Sequence, residues 1–121
     1  MTLEQKSELD NLLDNIHIDG PYAKEQLQTQ ALAHYKKIWE NTPFMLENVH
    51  NASNQQIEQW MVNYIRHKLT GYDEALTIAI KIIPSGPKIL KRSILDKISF
   101  MYPFLKDECK RQKEKLDWLI W

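Results

Sequence analysis

Six chemically able side chains fall between positions 64 and 74: Tyr64, Arg66, His67, Tyr72, Asp73 and Glu74. Histidine is the side chain whose ordinary titration lies near neutrality, and a carboxylate can orient its ring. His67 with Asp73 is therefore the pair that could do acid–base chemistry, with Tyr64 and Tyr72 beside it in one groove. A structural role competes with that chemistry. Asp73 follows Gly71 and can cap the next helix. His67 falls at the edge of an apolar arc, near Trp60 and Tyr64. Arg66 falls with Gln59, Asn63 and Thr70 on the polar face. The structural role is the expectation here, and acid–base catalysis ranks third among the functions considered. What remains for binding is a polar rim of Arg66, His67 and Tyr72.

Other chemistries find less support. His17, His34, His50 and His67 have no second histidine or cysteine within four residues, so neither a zinc site nor any other metal site is expected. The chain has 3 glycines and no glycine-rich loop. In Pro84-Ser85-Gly86-Pro87 the prolines remove the amides that would cradle phosphate. No cofactor is expected. Cys109, the only cysteine, falls on an apolar stripe and reads as a buried, inert thiol. A lone cysteine also fits a reducing cytoplasm.

The elements that must position these residues read as helices. Thr2 and Gln5 have capping-box spacing, and Leu9, Leu12, Leu13 and Ile16 continue a helix to about His17. Pro21 is expected to start a second helix, with Leu27, Ala31, Tyr35 and Ile38 inward and Asn41-Thr42-Pro43 ending it. Residues 43–52 are too apolar for a solvated loop, so a short helical turn is expected there. Ser53 with Gln56 opens the best-specified helix, carrying Ile57, Trp60, Met61, Tyr64, Ile65 and Leu69 inward. Gly71 is expected to end it in a left-handed conformation. A fourth helix, from about Glu74 to Ile83, would bury Leu76, Ala79, Ile80 and Ile83. A fifth, from about Pro87 to Met101, buries Leu90, Ile94, Leu95, Ile98 and Met101, with Arg92 and Asp96 spaced to pair. A sixth follows on Leu105, Cys109, Leu116, Leu119 and Ile120.

The fold expected is all-α, a compact irregular bundle of five to six helices in one domain over residues 1–121. The start MTLEQKSELD has no apolar signal-peptide core, and no apolar run is long enough to span a bilayer. A cytoplasmic protein without membrane contact is expected.

Net charge is zero, but it is unevenly spread. Residues 1–80 carry six Lys/Arg against eleven Asp/Glu, a balance of −5, and residues 81–121 carry ten against five, a balance of +5. Attraction between the halves, within one fold or across a dimer, accounts for this. Trp118 and Trp121 fall off the last helix's stripe beside Arg111 and Glu114, as interface residues do. The leading expectation is a non-catalytic protein-interaction or adaptor domain that self-associates, as a homodimer, through Arg66, His67, Tyr72, Trp118 and Trp121. The alternative is a small DNA- or RNA-binding accessory protein using Lys88, Lys91, Arg92, Lys110 and Arg111. Few Asn, Gln or Arg residues stand on the fifth helix to read base edges.

Overall fold

Helical periodicity and capping decide the elements of this chain. The computed structural model describes residues 1–118, with side chains to Leu116. It contains α1 (Leu3–Asp14), α2 (Lys24–Ile38), α3 (Pro43–His50), α4 (Asn54–Lys68), α5 (Tyr72–Ile82), α6 (Gly86–Met101) and α7 (Lys106–Trp118). A 3-10 turn, Pro103–Leu105, leads into α7. The all-α class holds, with seven α-helices among the described residues rather than five to six. The difference is α3, an eight-residue helix where only a turn was expected. Pro43 occupies its first turn, where a missing N–H leaves nothing unpaired.

Two predicted starts are built as their residue types require. Thr2 Oγ1 accepts from the Gln5 amide, and the Gln5 side chain accepts from the Thr2 amide, a complete capping box. Ser53 caps α4 by accepting from the Gln56 amide at 3.2 Å. The reciprocal half is replaced, because the Gln56 amide group donates to Gln59 instead.

The core forms around α6, which contacts α1, α4, α5 and α7. Leu90, Ile94, Leu95 and Ile98 are completely buried, at the spacing read from the sequence. Met61, Val62 and Ile65 of α4, Leu27 and Ala31 of α2, and Leu105 and Cys109 complete the interior. On the far side of α4, Tyr35, Trp39 and Trp60 stack with ring centroids 5.3–5.8 Å apart, joining α2 to α4. Burial raises the Tyr35 phenol's pKa.

Four local expectations are corrected. Pro21 does not start α2. It lies in an extended segment after Gly20, and α2 begins three residues later behind Ala23. Gly71 is not left-handed. Its φ is −84°, and it serves as the N-cap of α5. Ile38 and Ile80 are exposed, at 55% and 59%: Ile38 is the last residue of α2, beyond the buried Leu27 and Ala31 of its own stripe, and the inward stripe of α5 runs through Tyr72, Ala75 and Ala79 instead. Asp73 does not cap α5. The hydroxyl of Thr70 accepts from the Tyr72 amide at 3.1 Å instead, which releases the Asp73 carboxylate. Leu119, Ile120 and Trp121 lie outside the described residues. No described helix is long and apolar enough to cross a membrane.

The α5–α6 corner depends on close approach of two backbones. A Cβ added at Gly86 would overlap the carbonyl of Ala79, whereas one added at Gly71 would meet open space. Gly86→Ala is expected to destabilise the fold by about 3 kcal/mol, at the upper end of overpacking costs, while Gly71→Ala changes it by less than about 0.5 kcal/mol. Urea unfolding midpoints of the two variants measure the contrast, and equal midpoints would refute the packing at this corner.

Candidate functional site

The residues around His67 converge because α4 ends and α5 begins within four residues. Thr70 makes the turn, its hydroxyl donating to the Arg66 carbonyl while accepting from the Tyr72 amide. The α4 terminus is tied from a distance as well, since the Asp19 amide donates to the Leu69 carbonyl at 2.9 Å. This tight reversal sets Tyr72 and Asp73 against the last turn of α4. Tyr64 does not join them. It packs against His34, with centroids 5.4 Å apart, towards α2.

Arg66 is the unexpected member. The helical wheel puts it on the polar face, yet its side chain is only 8% exposed. α7 covers that face. Arg66 Nη1 donates to Gln112 Oε1 at 3.1 Å, and Nη2 lies 3.2 Å from His67 Nε2. The guanidinium carbon stands 5.4 Å from the Tyr72 ring centroid, a cation–π distance. Arg66 Nε is buried with no hydrogen-bond partner. Among the described residues, none of the groups hydrogen-bonded to the guanidinium is a carboxylate. Burial lowers the Arg66 pKa, partly offset by the nearby Tyr72, Tyr35 and Asp73. Burial likewise raises that of Tyr72.

The bonds continue in both directions. Gln112 Nε2 donates to Glu108 Oε2 at 2.9 Å and faces Asn63 Oδ1 at 3.4 Å. Glu108, 2% exposed, accepts from Arg111 through Nε at 3.0 Å and Nη2 at 2.6 Å. At the other end His67 Nδ1 meets Asp73 Oδ1 at 2.8 Å. An arginine can only donate, so His67 Nε2 must accept and Nδ1 must carry the proton. A polar chain thus runs from Arg111 through Glu108, Gln112, Arg66 and His67 to Asp73.

The chemistry open to this chain follows from those roles. His67 and Asp73 are within hydrogen-bond reach, at 41% and 60% side-chain exposure. Both imidazole nitrogens are already engaged, one by Asp73 and one by Arg66. Neither is presented to a substrate in this geometry, so the pair orients Arg66 rather than offering a free base. Cys109 is completely buried, and burial beside Glu108 pushes its thiol up to about 12. It is not poised as a nucleophile. Among the described residues no group of three or more His, Cys, Asp or Glu side chains could hold a metal ion.

Two concavities flank the chain. One is a groove of about 450 Å³ between α5, α6 and α7, lined by Tyr72, Leu76, Thr77, Ile80, Pro87, Lys91 and Leu116. The other is a smaller cleft of about 180 Å³, lined by Gln59, Asn63, Arg66, Lys91, Gln112, Lys115 and Leu116. They share Lys91 and Leu116.

The basic residues of the C-terminal third do not act as one face. Arg111 is held by Glu108, and Lys113 is held by Asp96 at 2.6 Å. Lys97 donates to the Leu13 and Ile16 carbonyls, satisfying the C-terminal end of α1. Lys91 is half-buried at the cleft, Lys88 and Arg92 are half-buried on α6, and Lys110 is exposed on α7. The side chain of Trp118 and the whole of Trp121 lie outside what is described.

Sequence reading missed Glu108 and Gln112. Their signal was the gap in the α7 stripe. Leu105, Cys109 and Leu116 leave two turns without an apolar residue, and helical spacing puts positions 108 and 112 on the same face.

No family model matches the sequence, and no curated protein or solved structure matches the chain.

Gln112→Leu leaves Arg66 and Glu108 each without a buried partner. The expected loss is about 1.5–3 kcal/mol, the range for hydrogen bonds to charged groups, measured by urea unfolding. Nitrogen-15 spectra of the neutral His67 imidazole are expected to show the Nδ1–H tautomer, and an Nε2–H tautomer would contradict the pairing with Arg66.

Proposed function

We propose that this chain is a non-catalytic protein-interaction domain that self-associates through the α5–α6–α7 groove. One observation carries the reading: among the described residues the groove is walled almost wholly by apolar side chains, with no acidic residue in its lining. Ile80 stands at its edge, 59% exposed. Open apolar concavities of this kind are sites of burial by a partner. Lys91 supplies the one positive charge in the lining among the described residues, which favours an occupant with an acidic group beside an apolar one.

A second copy of the chain meets that description. Its N-terminal two-thirds are acidic, and on α1 the exposed Glu4 follows Leu3, which is 87% exposed. The opposed balances of −5 and +5 then meet between copies, so association weakens as salt screens them. Nucleic-acid contact through Lys88, Lys91, Arg92, Lys110 and Arg111 has less in its favour. Arg111 is bonded to a buried carboxylate, and Lys91 faces the cleft rather than a common basic surface.

Sedimentation velocity tests the proposal. Wild-type protein is expected to associate at low salt, and Ile80→Asp to shift it to monomer with about a tenfold weaker constant or more. Phe44→Ser, at an exposed apolar residue outside the groove, should associate like wild type. A monomeric wild type, or an Ile80→Asp chain that associates as well as wild type, contradicts it.

A further inference from the structure

The small cleft between α4, α6 and α7 gathers three cations. Arg66 forms part of its wall, and its side chain is more than nine-tenths buried. Of the five guanidinium N–H groups, one is bonded to Gln112 and one to His67, and the Nε–H has no partner. Lys91 and Lys115 complete the charge. Neither lysine forms an ion pair with an acidic side chain among the described residues. The remaining polar lining is Gln59, Asn63 and Gln112, neutral amides that can donate or accept.

This arrangement is costly for a fold alone. Burial, then the charges of Arg66 and Lys115, lower the Lys91 pKa, so its surroundings disfavour the charged form. Arg66 could have been paired with a carboxylate in place of Gln112, and Glu108 stands one turn away on the same helix. That carboxylate is instead occupied by Arg111 and Gln112. Converging cations with no carboxylate paired to them among the described residues suit an incoming anion.

We propose that the Arg66–Lys91–Lys115 cleft binds a compact doubly charged oxyanion, a phosphoryl group or free phosphate. A planar guanidinium and two ammonium groups match an oxyanion with several acceptor oxygens better than a single carboxylate. The cleft, of about 180 Å³, has room for a group of that size. The site shares Lys91 with the groove, but it is carried by the buried Arg66 donors rather than by the groove's apolar lining, so either can fail alone.

Titration calorimetry of the full chain with inorganic phosphate tests it, at ionic strength held constant with chloride. One saturable site per chain is expected, and phosphate should raise Tm. Lys115→Gln, at an exposed position, should weaken binding about tenfold. Lys91→Met should abolish it while raising the phosphate-free Tm, since it removes a desolvated cation. Lys88→Gln, a basic residue outside the cleft lining, should bind like wild type. Displacement of phosphate by O-phosphoserine would assign the site to the phosphoryl group of a larger molecule. Failure to displace it would assign the site to the free ion. Absence of saturable binding, or equal binding by the Lys91→Met and Lys115→Gln chains, overturns the proposal.

Discussion

The structure depends on how one guanidinium is housed. Taking an arginine out of water costs several kcal/mol, recovered only where its donors find acceptors. Arg66 is held between Gln112 and His67 and lies over the Tyr72 ring, so three helices must meet around it. α4 supplies the charge, the first turn of α5 supplies the ring, and α7 supplies the amide. That joint fixes how α7 lies across α4, with Asn63 meeting the same Gln112 amide, while Glu108 orients that amide from within α7. The apolar core beneath could tolerate small slips of one helix past another. A directional polar chain cannot, so the register of α7 on α4 is set by hydrogen bonds.

The choice of acceptors has a further effect. A neutral amide and a neutral imidazole satisfy two donors without cancelling the charge. The positive charge of Arg66 is therefore felt by its neighbours Lys91, Tyr72 and Tyr35. His67 is positioned from its far side by Asp73, which is free to do so because the first amide of α5, that of Tyr72, donates to the Thr70 hydroxyl. The apolar groove and the cationic cleft adjoin through Lys91 and Leu116, so one end of α7 borders both surfaces on which partners are proposed.

Much of the fold was legible in the sequence where local grammar and packing agree. The α6 stripe of Leu90, Ile94, Leu95 and Ile98, the capping box of Thr2 and Gln5, and the Ser53 cap all formed as their residue types dictate. Where two local solutions competed, tertiary structure chose. Asp73 was expected to cap α5, but the helix starts at Tyr72 with Gly71 as its N-cap, and the Asp73 carboxylate meets His67 instead. Ile80 matches an inward stripe as well as Ala75 and Ala79 do, but the close α5–α6 contact at Gly86 favours the small residues on that side. The candidate site was half legible. His67, Tyr72 and Asp73 do meet. The burial of Arg66 was hidden, since a polar wheel face gives no sign that another helix covers it. Glu108 and Gln112 were the missing signal, two polar residues at core spacing on α7.

Nuclear magnetic resonance of the Arg66 side chain tests the central claim most directly. A guanidinium held at Nη1 by Gln112 and at Nη2 by His67 is expected to give a resolved Nε–Hε signal, slow to exchange with solvent, and separate Nη signals from hindered rotation. Gln112→Leu should collapse that separation. An Arg66 side chain in the wild type that exchanges and rotates as fast as an exposed arginine would contradict the account.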